Sequence, residues 1–352
     1  MATITRREFL FTVATGVGAV VFNPLLTACS SKSVPPTEAS LPTSKPPPAA
    51  PLVRSGEPTD KSPTATAEPV KTESVASATP VGVPDLVVAR QGEPEELVRR
   101  ALAALGGIER FVPPNASVII KPNICNAYHT YEYASTTNPW VVGALVKLCF
   151  EGGARRVRVM DSPFGGNAEA AYANSGIEAQ VKAAGGEMVI MSGFKFTSTE
   201  IPEGVDLRQC DIFEDILKAD VLINAPIAKH HSLARLTLGM KNLMGVIRDR
   251  PAMHGNLGQR LADLTSRLRP ALTVVDAVRI LRDHGPTGGN LDDVQQLDTV
   301  IASADIVAAD SYAATLFGLK PEDLSYVQAG AAMGLGRSDL NNLRIEEVNG
   351  GA

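Results

Sequence analysis

Between Val221 and His254 the sequence VLINAPIAKHHSLARLTLGMKNLMGVIRDRPAMH gathers three of the chain's five histidines among cations. His230, His231 and His254 stand with Lys229, Arg235, Lys241 and Arg248, just past the apolar run Val221-Leu222-Ile223, which ends in Asn224 and Pro226. A buried strand leaves a sheet in this way, and in open α/β sheets ligands bind outside strand ends. Cations there suit a carboxylate or phosphate. A histidine beside lysines loses its proton readily, and a neutral imidazole serves as base or metal ligand. His231 is therefore a candidate base. His254 is a candidate second base or metal ligand, with a helix-start role as its bland alternative. Neighbours on an extended strand point opposite ways, so one of His230 and His231 enters the cleft.

Polar residues collect at other strand ends too: Lys121 and Asn123, Asp161 and Ser162, and Asp276. Lys121 precedes Pro122 and is held extended. Lys121, Asn123, Lys229, Asn242 and Arg248 are the candidate anion contacts. Asp161 and Asp276 either ligate a metal with His254 or form structural ion pairs with Lys121 and Lys241. Thr237, Lys241 and Arg248 are spaced for one helix face, with Leu236, Met240, Leu243 and Ile247 as its packing side. Gly239 and Gly245 weaken such a helix and point to close backbone approach. The loop Gly285-Pro286-Thr287-Gly288-Gly289 is expected to be mobile and to cover the rim; it has neither a Walker lysine nor the dinucleotide pattern.

Elements that would position these residues alternate along the chain. Strands are expected at Leu86–Ala89, Ser117–Lys121, Val157–Met160, Met188–Met191, Val221–Asn224, Thr273–Val275 and Thr299–Ala302. Helices are expected at Pro94–Leu105 and, from the Thr137-Asn138-Pro139 start, to Phe150, with helical segments to Ala184. This order predicts an α/β fold: a largely parallel, doubly wound sheet with helices on both faces, with room for an inserted lobe.

The paired Arg6 and Arg7, the apolar stretch Phe11–Phe22 and Leu26-Thr27-Ala28-Cys29 read as a twin-arginine signal with a lipobox, residues 1–29. Cys29 would be acylated, which places the protein outside the cytoplasmic membrane. Residues 30–84 hold 12 of the chain's 25 prolines, many Ser and Thr and almost no aromatics, so they read as a disordered tether. Residues 85–352 have globular composition. A formal charge of −5 argues against nucleic acid, and the membrane is met through the lipid anchor alone. Cys125, Cys149 and Cys210 are far apart with no C-x-x-C, so no iron–sulfur cluster is expected.

KPN at 121–123, TTNP at 136–139, DSP at 161–163, KHH…T…KN…G at 229–245, His254, VVDAV at 274–278, GPTGG at 285–289 and VAAD at 307–310 together resemble the family called domain of unknown function 362. The resemblance runs in order over nearly all of 86–340 and leaves activity open. Some members carry ferredoxin-type cysteine clusters, which this sequence lacks. A more distant likeness is to the lactate racemase family with its nickel pincer cofactor. It implies that His231 moves protons, Lys241 tethers the cofactor and His254 ligates the metal. That family's other proton-moving histidine is replaced here by Asp161-Ser162-Pro163.

These residues support an exported, lipid-anchored enzyme acting on a small anionic organic molecule by acid–base chemistry, with a divalent metal as the open cofactor question. The competing reading is a lipoprotein that captures an anion without reaction. A redox accessory role is the third, and the missing cysteine clusters weigh against it.

Overall fold

A computed structural model describes residues 82–350, all within the second of the two units, residues 73–352, into which the chain divides. The signal with Arg6, Arg7 and Cys29, and the tether up to residue 81, lie outside the described residues.

The elements run β1 (Leu86–Arg90), α1 (Pro94–Ala104), β2 (Ser117–Pro122), α2 (Pro139–Glu151), β3 (Arg156–Val159), α3 (Ala168–Asn174), α4 (Ile177–Ala183) and β4 (Glu187–Met188). Then come β5 (Phe196–Glu200), β6 (Gln209–Phe213), α5 (Glu214–Leu217), β7 (Val221–Ala225), β8 (Ile227–His231), β9 (Arg235–Thr237), α6 (Gly239–Asn242) and α7 (Leu257–Leu268). The last are β10 (Leu272–Leu281), β11 (Val294–Ser303), α8 (Ile306–Thr315), α9 (Ser325–Ala332) and β12 (Ile345–Asn349). The main sheet has the order β12-β1-β11-β10-β7-β2-β3-β4, with β8 on β10 and β9 on β8. Pairing is parallel except at β1·β11, β10·β11 and β8·β9.

Strands covered on both faces show continuous apolar runs whose alternate residues feed two cores. Val87, Val118, Ile120, Val221 and Ile223 pack with Leu97, Val98, Val141 and Leu145 of α1 and α2. Leu86, Val88, Ile119, Leu222 and Ile301 pack with Leu261, Leu264, Val307 and Val327 of α7, α8 and α9. The helices therefore lie on both faces, as the alternation of elements predicts. The inserted lobe takes the form of the β5–β6 antiparallel ribbon. Asp263, wholly buried in α7, fastens its connection by accepting the N–H groups of Val205, Asp206 and Leu207 at 2.7–2.9 Å.

Two local expectations change. The expected strand at Met188–Met191 shortens to Glu187–Met188. The single helix expected across Thr237–Arg248 does not form: Thr237 ends β9, α6 spans one turn, and a 3₁₀ turn, Leu243–Val246, follows. Gly239 and Gly245 are poor helix residues, and burial fixes the segment instead, since Leu236, Met240, Leu243 and Ile247 are at most 2% exposed.

From β2 the chain moves through β3 to β4 at one edge; from β7 it moves the other way through β10. The neighbouring strands β2 and β7 thus form a switch point, where a crevice opens beyond their carboxyl ends. Lys121 is in register with Asn224 at this place.

Candidate functional site

A cavity of about 490 Å³ opens beyond these strand ends, within the usual range for a small-molecule pocket. Lys121, Lys229, Lys241, Arg250, His231 and His254 line it, and Asp161 is the only carboxylate among the described lining residues.

Lys121 and Asp161 form its floor. Lys121 Nζ lies 2.8 Å from Asp161 Oδ1 and donates at 2.8 Å to both Pro122 O and Asn242 Oδ1. Burial pulls the Lys121 pKa below the ordinary lysine value, against the pull of Asp161. Asp161 also accepts the N–H groups of Ile124 (2.6 Å) and Ser162 (2.8 Å). Gly245 passes directly over this pair, and a Cβ there would collide with both partners.

Lys229 is equally buried. Its Nζ donates to Asn123 Oδ1 (3.0 Å), Ser135 O (2.6 Å) and Pro286 O (2.9 Å). Asn123 Nδ2 donates to Asn242 Oδ1 (3.0 Å), and Asn242 Nδ2 donates to Asn224 Oδ1 (2.9 Å) and Lys121 O (3.2 Å). The two threonines of the TTNP run brace this network: Thr136 and Thr137 accept the N–H groups of Cys125 and Asn123. Lys121, Asn123, Lys229 and Asn242 consequently hold one another. Both ammonium groups have three oxygen partners, so they supply positive field more than free donors.

Lys241 is different. Its amine has no hydrogen bond among the described residues, and burial, reinforced by Lys229, Lys121 and Arg250, brings its pKa down to about 8. Its turn is anchored from beneath by Asp310, whose carboxylate accepts the N–H groups of Gly239 (2.6 Å) and Met240 (2.9 Å). Burial pushes the Asp310 carboxyl up to about 7. Thr237, in the cavity wall, keeps a buried Oγ1 without a hydrogen-bond partner among the described residues.

The two cavity histidines are held in opposite tautomers. The N–H groups of Leu233 (3.1 Å) and Ala234 (3.3 Å) donate to His231 Nδ1, so Nδ1 carries no hydrogen and Nε2 does. Burial first, then Lys241 and Lys229, brings its pKa down to about 3. A neutral His231 presents a donor at Nε2, whereas the sequence points to a base. His254 Nδ1 lies 3.2 Å from Pro251 O; a carbonyl only accepts, so this ring in its neutral form keeps a lone pair at Nε2. His230 turns away, as strand alternation predicts, and its Nδ1 accepts the Gly285 N–H at 3.1 Å. The 285–289 loop does reach the cavity, through Pro286 and Thr287, and His230 and Lys229 pin it there.

A family model described as domain of unknown function (DUF362) matches residues 118–315. The chain belongs to this family. It is 26% identical over 247 residues to a thylakoid-associated protein of Synechocystis sp., covering 68% of this chain and 74% of that one. Two solved structures are loosely similar in fold. The lactate racemase apoprotein of Thermoanaerobacterium thermosaccharolyticum has 12% identity and a TM-score of 0.40 over 62% of this chain. A protein of Thermotoga maritima has 11% identity and a TM-score of 0.36 over 65% of it. The chain spans 54% and 60% of the lengths of those two structures.

In this DUF362 chain two expected site residues stand outside the cavity lining. Arg248 pairs with Asp211 at 3.2 Å, donates to Gly193 O and sits over the Phe196 ring; without the long helix it falls on the other side of the segment. Asp276 is wholly buried and accepts the N–H groups of Asn138 (2.6 Å) and Val278 (3.0 Å), its carboxyl pushed up to about 7 by burial. It steadies the start of α2. With Asp276 there and Asp161 tied to Lys121, the expected metal set of His254, Asp161 and Asp276 does not assemble, and no group of three His, Cys, Asp or Glu side chains suited to a metal forms among the described residues. Arg250 is the cavity residue sequence reasoning missed. It donates to Ser162 O (3.0 Å) and Pro163 O (3.2 Å); its signal was its place four residues before His254.

Proposed function

We propose that this protein is an enzyme that binds a small organic anion in the Lys241 cavity and moves a proton on it. One observation carries this reading: four cations surround a cavity whose only described carboxylate is already paired, while the Lys241 amine has no hydrogen bond among the described residues and a pKa near 8. Arg250 and the field of the buried Lys121 and Lys229 hold the anion, and Lys241 strengthens binding only in the fraction where it is protonated. Lys241 in its neutral form accepts the proton, since a base works best with a pKa near the working pH. The Nε2–H of His231 steadies charge that develops on a substrate oxygen, and the lone pair of His254 Nε2 offers a second proton acceptor.

The test is hydrogen exchange. The purified protein is incubated in D₂O with a panel of small carboxylic acids, and loss of the α-proton signal is followed by NMR. At least one acid should exchange, and Lys241→Met should abolish that exchange. Tight binding with no exchange across the panel would instead favour capture without reaction. That second reading has its own support in the saturated Lys121 and Lys229, which attract an anion without offering it chemistry.

The racemase likeness in sequence adds a cofactor version of the same site. Lys241 has a free amine and His254 a lone pair, so these residues fit a lysine-tethered, histidine-ligated metal group, which would supply the reactive metal centre when bound. The place of that family's other histidine is filled by Asp161, held by Lys121. Export by the twin-arginine route and a lipid anchor at Cys29 remain part of the proposal and rest on the sequence alone.

A further inference from the structure

The cavity has two chemically distinct ends. Its inner wall holds the buried Lys121, Lys229 and Asp161. Its mouth holds Phe164 and Leu233, which line the cavity yet are 71% and 66% exposed. Tyr128, 69% exposed, lies with its ring against Gly165, next to Phe164. Two of the eight large apolar side chains exposed among the described residues thus line this one cavity, with Tyr128 beside the segment that carries Phe164. Single exposed apolar residues need no explanation, but a group of them rimming a pocket marks a place where something apolar is covered. The buried Met244 and the exposed Pro251 add further apolar lining to the same cavity.

We infer that the ligand of this cavity is an amphiphilic anion: a carboxylate head at Lys241 and Arg250, with an apolar tail that leaves past Phe164 and Leu233. This rests on the anion-binding reading above and names its substrate class. Charge complementarity fixes which end enters. A carboxylate gains from the cations and an alkyl chain gains nothing from them, while Phe164 and Leu233 shed water only when a tail covers them. A membrane surface or a second copy of the chain would cover the same side chains without placing a head group among the lysines.

Isothermal titration of the full-length protein with acetate, butanoate, hexanoate, octanoate and decanoate, all below their micellar concentrations, tests the inference. Affinity should rise with chain length, by about fourfold per methylene where the tail is fully covered. Phe164→Ser combined with Leu233→Ser should flatten that rise while acetate, too short to reach the rim, binds as before. A flat series in the wild-type protein, with acetate still bound in a Lys241-dependent manner, overturns the amphiphile and leaves the anion site standing. Failure of every acid including acetate overturns both. A flat series accompanied by self-association that the double variant abolishes assigns the rim to a second copy and also overturns the amphiphile.

Discussion

At the scale of single residues the site turns on which polar atoms are already spent. Lys121 and Lys229 looked like ligand-holding lysines in the sequence, and their three-oxygen environments make them fixed sources of field. Lys241 keeps its chemistry because none of the described residues hydrogen-bonds its amine. Its pKa lies below that of free lysine, so it changes charge near pH 8. Anion affinity should therefore fall as pH rises from 6.5 to 9.5, roughly ten- to a hundredfold for the loss of a charged hydrogen bond, and calorimetry should find no such step in Lys241→Met. Proton transfer should run the other way, increasing as the amine becomes neutral. Binding and exchange that decline together through pH 8 would remove Lys241 as the base. His231→Gln should leave binding nearly unchanged and slow exchange roughly 100- to 1,000-fold, the usual effect of removing a donor to developing negative charge.

At the scale of elements, the site depends on one tight crossing. The turn bearing Lys241 and Asn242 lies over the end of β2 because Gly245 has no side chain to meet Lys121 and Asp161. Asp161→Asn leaves Lys121 buried beside a neutral group, a change that costs on the order of 3–5 kcal/mol. For a domain of this size the melting midpoint should drop on the order of 10 °C. Asp310 and Asp276 set the opposite pH dependence to that of most carboxylates. Both bind their proton more tightly folded than unfolded, with pKa values pushed up to about 7. The stability they contribute is complete below the ordinary carboxylate range and is lost as pH rises through about 7. Thermal melts from pH 5 to pH 8 should show a decline that Asp310→Asn makes shallower. An identical pH slope in that variant would show that Asp310 is already ionised in the folded protein.

At the scale of the whole molecule the predictions concern location and cofactor. Cys29→Ala should release the protein from membranes, and Arg6→Lys with Arg7→Lys should leave precursor in the cytoplasm; fractionation showing Cys29→Ala still on the membrane rules out the lipid anchor. Elemental analysis and intact mass of protein from its native host examine the cofactor version. Lys241→Arg keeps the charge and removes the tethering amine, so metal and any mass adduct should disappear together. An unchanged metal content and mass in Lys241→Arg would exclude a lysine-tethered group.

The sequence by itself determined the doubly covered sheet, because runs such as Val118-Ile119-Ile120 and Val221-Leu222-Ile223 are apolar at every position and can only be buried on both faces. It also determined which strand ends carry the polar residues, since a lysine or asparagine that closes such a run is fixed by chain order. Tertiary structure decided the partners. Whether Lys121 faces a ligand or Asp161 depends on residues far apart in the chain, and the hydrogen on His231 depends on where the N–H groups of Leu233 and Ala234 point. Spacing predicts a long helix through Thr237–Arg248, but spacing reports periodicity and not burial demand. Packing of Leu236, Met240, Leu243 and Ile247 broke that segment into a strand end and two short turns, which took Arg248 out of the site and left Arg250 within it.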